Sequence, residues 1–273
     1  MASLVRIAIA GAGGKMGQAV IDAALSDSAL AIGAAFDVPG SLVVGRDAGE
    51  RFGRKVGVVI GTDAEAAIKA SDVLVDFTRP AGTLAHLAHC ARHGAGAVIG
   101  TTGFSDEDKI ELARYGREIA LVVAPNMSVG VNVLLSLVET ATRRLGPAYD
   151  IEIVEMHHRH KVDAPSGTAL ALGDAAARGA DLDRAASSVY AREGVTGARK
   201  SGTIGFATLR GGDVIGEHTV IFAGTGERIE LSHKAGSRQN FAAGALRAAH
   251  FVAGRRAAGE CGLFDMRDVL GLR

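Results

Sequence analysis

The sequence predicts an α/β fold in which a doubly wound parallel sheet is joined to a second α+β domain built on an open, mixed or antiparallel sheet. Three observations carry this. Short Val- and Ile-rich runs alternate with helical stretches up to about residue 128, a glycine-rich loop follows the first run, and the rhythm changes after Ser128. Buried parallel strands read as short continuous apolar runs, and repeated strand-helix-strand order builds a parallel sheet.

Strands are expected at Leu4–Ala10, Ala29–Phe36, Val56–Ile60, Val73–Phe77, Ala97–Ile99 and Ile119–Val123. Helical composition fills Gly14–Leu25, Ala64–Ala70, Pro80–His93 and Asp106–Tyr115. Ser105, with Asp108 three residues on, has the spacing of a capping box. These elements make a first domain over 1–128. A long helix over Val129–Leu145 then ends at Gly146-Pro147, a strand covers Asp150–Met156, and a helix runs from Ser166 to Ala177. Arg178–Lys200 reads as loop. The run Thr203–Lys234, broken by Gly211-Gly212-Asp213 and Gly224-Thr225-Gly226, reads as an antiparallel meander. It closes a second domain over 129–239, and Asn240–Gly254 is helical again.

Charge and cysteine content limit what the chain can do. Thirty Lys and Arg balance thirty Asp and Glu, which excludes a strongly basic field for nucleic acid. Cys90 and Cys261 give neither a disulfide framework nor a metal-ligand spacing, so a reducing, cytoplasmic setting is expected. No run of about 18 apolar residues is free of charge, so no membrane span is expected. Met1–Ala10 contains Arg6 and meets Gly11 at once, which suits a strand feeding a turn rather than a secretory segment.

Gly11-Ala12-Gly13-Gly14-Lys15-Met16-Gly17 stands between the first strand and the first helix. Its glycines permit a tight turn, close approach of backbone N–H groups to a pyrophosphate, and close helix-on-strand packing. The second strand ends at Asp37, about 20 residues past the last glycine, where a carboxylate would accept hydrogen bonds from an adenosine ribose. This is the pattern of a Rossmann-type dinucleotide domain. Val38 follows Asp37, so NADH is expected to bind at least as well as NADPH; Lys15 is near enough in sequence to leave the second open. Thr78-Arg79-Pro80, Gly100-Thr101-Thr102-Gly103 and Ala124-Pro125-Asn126-Met127 end later strands and belong on the same, cofactor side.

A second candidate site lies at Glu155-Met156-His157-His158-Arg159-His160-Lys161, followed by Val162-Asp163-Ala164-Pro165-Ser166-Gly167-Thr168. Crowded cations are costly unless something negative fits among them. The segment lacks the ligand spacing and the completing carboxylate or thiol of a metal site, and none is expected. Satisfied histidines at a strand end are the bland alternative. With Pro165 in a first helical turn, the N–H groups of Ser166, Gly167 and Thr168 would point at an anion. A small dicarboxylate would place one carboxylate there and the other against Lys161 or His158. His157 and Lys161 reach one ring only if the chain turns between them, because five extended residues span roughly 13 Å.

EMHHRHKVDAPSGTAL at 155–170, with GAGGKMG at 11–17, DFTRP at 76–80, GTTG at 100–103, SVGVN at 128–132 and IGFATLRGGDVIGEHTV at 204–220, resembles the 4-hydroxy-tetrahydrodipicolinate reductase family over nearly the whole chain. The resemblance implies a dinucleotide domain completed by 240–273 and a central domain whose open sheet builds a homotetramer. It implies hydride transfer from nicotinamide C4 to C4 of a cyclic imine dicarboxylate, with the 4-hydroxyl leaving as water, in the diaminopimelate route to lysine. His157 would be the acid/base and Lys161 the proton donor, with His158, Ser166, Gly167 and Thr168 holding substrate carboxylates. Cofactor contacts would fall on Gly11, Ala12, Gly13, Gly14, Lys15, Met16, Asp37, Gly100, Thr101, Thr102, Ala124, Pro125, Asn126 and Met127. Val38 and Met127 depart from the family pattern, which often has arginine and phenylalanine there. The rival readings are another nicotinamide dehydrogenase of a small amino or keto acid, such as an aspartate dehydrogenase, and a module that senses NAD(H).

Overall fold

A computed structural model describes residues 4–273, and the chain divides into two compact units, one running to Val129 and including Arg238–Arg273, the other Gly130–Ser237. Residues 1–3 of the expected first domain lie outside the described residues.

The first unit is built on six parallel strands: β1 (Val5–Ala10), β2 (Leu30–Phe36), β3 (Val73–Asp76), β4 (Gly96–Ile99), β5 (Ala120–Val123) and β11 (Gly262–Phe264), in the order β11-β5-β4-β3-β1-β2. Alternate side chains point to opposite faces, so Ile7, Ile9, Val75, Val98 and Val122 pack on one side with α1 (Lys15–Ala24) and α8 (Gln239–Ala257). Ala8, Leu74, Ile99 and Leu121 pack on the other, with α2 (Ala64–Lys69), α3 (Pro80–His93) and α4 (Asp106–Tyr115). Both faces are covered, which is why these strands are mostly apolar, Arg6 and Asp76 excepted. The Ser105–Asp108 capping box forms as expected.

The expected strand at Val56–Ile60 does not form. Gly57 takes a left-handed φ of +76°, and the Asp47 carboxylate accepts from the amides of Gly49, Val56 and Gly57 at 2.9, 3.1 and 2.7 Å. These bonds wind the segment into a loop that touches β2 by a single parallel bridge, Phe36 to Gly61. Conversely β11, three residues long, and α9 (Met266–Leu270) extend the tail beyond its expected helix.

The second unit carries α5 (Val129–Leu145), most of which belongs to it, β6 (Asp150–His157), α6 (Gly167–Ala180), α7 (Arg184–Ser187), β7 (Ser188–Val189), β8 (Ile204–Arg210), β9 (Gly216–Ala223) and β10 (Arg228–Ala235). Its five-stranded sheet has the order β10-β9-β6-β8-β7. The expected antiparallel meander therefore needs correction: β9 and β10 form a hairpin, but β6 inserts between β8 and β9, parallel to the first and antiparallel to the second. Alternation alone cannot distinguish a neighbour from a strand one place removed. The short α7 and β7 lie in the segment expected to be loop. Ile151, Ile153, Phe206, Val220 and Phe222 pack with Leu134, Val138 and Leu172 on one sheet face.

Within the first unit, α8 approaches the backbone through a glycine. A Cβ at Gly244 would fall well inside the contact radius of the Met127 carbonyl oxygen, whereas one at Gly254 would meet nothing within 4 Å. Gly244→Ala should lower the unfolding free energy by about 1–3 kcal/mol by overpacking. Gly254→Ala should raise it by roughly 0.5–1 kcal/mol through helix propensity. Urea titrations of the two variants check the opposite signs.

Candidate active site

In the first unit β1 ends at Ala10 and Gly11 turns the chain with a φ of +63°. Gly14 caps α1 without a side chain. A Cβ at Gly17 would collide with the Gly11 carbonyl, so the third glycine sets how closely helix and strand pack. The Gly13 N–H donates to Asp37 Oδ2 at 2.6 Å, and the Val38 N–H donates to Asp37 Oδ1 at 2.7 Å. A Cβ at residue 13 would lie 2.9 Å from that same Oδ2. Loop and acid, 24 residues apart, thus form one cradle whose floor is backbone. This fits a dinucleotide: an anion-favouring helix start beside a carboxylate at the position where such a fold meets a ribose. Gly13, Gly14 and Lys15 are exposed and Gly11 and Met16 half-buried, while Ala12 is fully buried.

At the carboxyl ends of β3 and β4 the wholly buried Asp76 accepts from the Thr78 N–H and hydroxyl at 2.8 and 2.7 Å, and His86 Nδ1 lies 2.8 Å from its other oxygen. Thr83 and Thr101 share a hydroxyl contact of 2.8 Å. The Phe77 ring occupies the space where Gly100 would carry a side chain. Thr102 and Pro125 are exposed and Asn126 is half-buried. Thr101, Ala124 and Met127 are buried, and Met127 belongs to the core beneath α8. Asp76 opens the DFTRP motif, whereas His86 stands outside every quoted motif; both brace the loops beside them.

The second unit assembles its polar groups where β6 ends. Glu155 and His157, two residues apart on one strand, share a sheet face and are both buried. His157 Nδ1 lies 2.5 Å from Glu155 Oε2. From β8, Arg210 donates to both Glu155 oxygens at 2.8 and 2.9 Å and to the Asp163 carbonyl at 2.7 Å. On β9, His218 pairs in register with Glu155, and its ring meets that of His157 edge to face, centroids 5.1 Å apart. After His157 the chain turns, the Lys161 N–H donating to the His158 carbonyl, and Lys161 Nζ lies 2.8 Å from Asp163 Oδ1. The turn that His157 and Lys161 need to share a ligand is present. His158 is half-buried, its Nδ1 without a protein partner.

One expectation fails here. Ser166 does not offer a free N–H to an anion: that amide donates to Glu155 Oε1 at 3.1 Å, and the Ser166 hydroxyl accepts from the Ala169 N–H and contacts His218 Nε2 at 2.9 Å. The helix opens at Gly167, with Ser166 as its N-cap, so Pro165 precedes the cap and lies outside the first turn expected of it. Gly167 is exposed and Thr168 half-buried at that start.

The crowded cations are partly answered by the protein itself. Burial works to raise the Glu155 carboxyl, but Arg210, His157 and the Ser166 amide hold it below the usual range. Burial pushes the His157 imidazole down, with Lys161 and Arg210 in the same direction, against the opposing pull of Glu155. The Lys161 ammonium lowers Asp163. Glu155, Arg210 and His218 stand inside the quoted motifs, but their residue types alone assign them no role; period-two spacing ties only Glu155 to His157. Among the described residues no group of three or more His, Cys, Asp or Glu is arranged to hold a metal ion. No described helix is long and apolar enough to cross a membrane.

Comparison with known proteins places these features in context. Residues 5–127 match the family model described as dihydrodipicolinate reductase, N-terminus, and residues 130–270 the corresponding C-terminus. A 4-hydroxy-tetrahydrodipicolinate reductase of Dechloromonas aromatica is 57% identical over 273 residues, covering 99% of this chain and 100% of that one. One from Thiobacillus denitrificans is 56% identical, with 98% and 99% covered. A dipicolinate-bound dihydrodipicolinate reductase from Paenisporosarcina sp. superposes with a TM-score of 0.73 at 26% identity, covering 96% of this chain and 97% of that one.

Burial lowers the His218 imidazole from 6.5 to about 4. Between those values the unfolded chain binds the extra proton, so the contribution of this residue to stability is complete above pH 6.5 and is lost as pH falls toward 4. The loss should be on the order of 3 kcal/mol across that window. Urea unfolding of wild type and His218→Asn at pH 7, 6 and 5 checks this; the wild type should show the steeper fall.

Proposed function

This chain belongs to the dihydrodipicolinate reductase family, and we propose that it reduces 4-hydroxy-tetrahydrodipicolinate, with a nicotinamide dinucleotide as reductant, the 4-hydroxyl leaving as water. The observation that carries the reading is the convergence at the end of β6 of a buried imidazole, a lysine and the opening turn of α6. That set suits a small ring bearing two carboxylates.

One carboxylate sits at the start of α6, on Gly167 and Thr168, where the helix dipole favours an anion. The other is held by His158 and Lys161. The ion pair of Lys161 with the exposed Asp163 keeps the ammonium at the site, and a substrate carboxylate competes for it. Ser166 shapes this pocket through its cap and its bond to Glu155 rather than by touching substrate.

The bound cofactor supplies the hydride. Gly11 to Met16 and Asp37 would hold its adenosine and pyrophosphate, and Gly100, Thr101, Thr102 and Ala124 to Met127 would line the remainder. Replacing the C4 hydroxyl by hydrogen consumes one hydride and one proton and releases water. Lys161 is the proton donor. His157, kept toward its neutral form by burial, is the acid/base partner that accepts a proton at Nε2 and passes it on. A Cβ at Gly216 would lie 2.9 Å from this nitrogen, so a glycine there keeps it open.

NADH binds at least as well as NADPH in this reading, because Asp37 stands beside Gly13 and the exposed Val38 adds no cation for a 2′-phosphate. A homotetramer is formed through the outer face of the mixed sheet, where Val154, Met156, Leu209 and Ile221 lie opposite the packed face. Two free cysteines suit a cytoplasmic enzyme.

Purified protein should consume NADH only when 4-hydroxy-tetrahydrodipicolinate is supplied; consumption with oxaloacetate and ammonia, or binding without turnover, would reject the reading. His157→Ala and Lys161→Ala should each lower kcat on the order of 10²–10⁴-fold while NADH affinity stays within about twofold, as for groups acting on the reacting atoms.

Fluorescence titration should give a Kd for NADH no higher than that for NADPH. Val38→Arg should improve NADPH binding on the order of tenfold, the size of one charge-assisted contact.

A further inference from the structure

Glu155 is buried, and its carboxylate meets four donors: His157 Nδ1, the Ser166 amide and both arms of Arg210. A carboxylate offers about four lone-pair positions, and an ionised one cannot donate. A two-pronged guanidinium on one carboxylate is the arrangement of an ionised pair. The proton in the 2.5 Å contact with His157 therefore belongs to the imidazole, on Nδ1. We propose that Glu155 is a positioning residue that fixes His157 as its Nδ1–H tautomer, with bare Nε2 turned to the substrate, and that Arg210 keeps Glu155 in the ionised state this requires.

A carboxylate beside an imidazole ordinarily makes it a stronger base. Here the surroundings oppose that. The charged and titratable groups that bear on the His157 ring are Glu155 on its own strand, Arg210 on β8, His218 on β9 and Lys161 in the following turn. Burial and the two cations outweigh the carboxylate, so Glu155 orients the ring without charging it. The carboxylate also holds the Ser166 amide at the threshold of α6. One residue thereby sets both the angle of the acid/base ring and its register with the helix start that receives a substrate carboxylate. Neither task needs Glu155 to touch substrate.

The inference rests on the reductase reading of the site, and Glu155→Gln tests it. Arg210 and the Ser166 amide claim the Gln oxygen, leaving its NH₂ group facing Nδ1, which forces the ring to carry its proton on Nε2. We expect kcat to fall on the order of 10²–10⁴-fold, with substrate KM within about threefold, as when a neighbouring carboxamide selects the wrong tautomer. In protein labelled with ¹⁵N-histidine, the His157 signals, assigned by their loss in His157→Ala, should show bare Nε2 in wild type and bare Nδ1 in Glu155→Gln. Glu155→Asp, which keeps the charge, should restore the wild-type tautomer. An Nε2–H ring in wild type, an unchanged tautomer in Glu155→Gln, or turnover of that variant within about threefold of wild type would overturn the proposal. Should Glu155→Gln fail to fold, the wild-type spectrum still decides. A wild type inactive on the substrate, with the expected spectrum, would reject the reductase reading and leave the positioning role standing.

Discussion

The contact around which the second unit's buried polar cluster is organised is the ion pair of Glu155 with Arg210. Taking a carboxylate out of water costs several kcal/mol, and in return it needs close charge and a full set of donors. Arg210 supplies the charge from β8, and His157 and Ser166 supply the remaining donors from β6 and the threshold of α6. Strand pairing makes this possible. Because β6 lies between β8 and β9, a side chain at its end is flanked by both neighbours at once, so Arg210 sits opposite His157 and His218 opposite Glu155.

The two units build their candidate sites by different means. The first relies on backbone: a loop without side chains at Gly11, Gly13 and Gly14, a helix start, and one acid at Asp37 braced by the loop itself. The second relies on side chains whose charges are offset within a few ångströms, Glu155 against Arg210 and Asp163 against Lys161. This division explains why a chain with zero formal charge can carry a cationic site. Global balance is silent about local arrangement.

Much of this was legible because it is local. The glycine loop and Asp37 are recognisable since phosphate and ribose impose fixed spacings, and buried parallel strands announce themselves as unbroken apolar runs. What was not legible is long-range. Val56–Ile60 has a strand's composition, but Asp47, nine and ten residues earlier, binds its amides and Gly57 bends it away. The place of β8 beside β6 depends on a pairing over some fifty residues. A helix start at Ser166 implies exposed amides; that this amide is taken by a carboxylate eleven residues back follows only from the fold. Short β11, three residues against β5, has too little pattern to stand out from a tail.

The closing of the first unit by residues from the far end of the chain sets an order for biosynthesis. α8 fills one face of the parallel sheet and β11 covers the outer edge of β5, yet both emerge from the ribosome after the whole of the second unit, about 110 residues behind Val129. At usual elongation rates the first unit waits about 5–20 s with an apolar face and a strand edge uncovered. The later-made unit is complete in sequence first. The nascent chain is therefore most exposed to aggregation, and most in need of chaperone cover, at the sheet that was synthesised earliest.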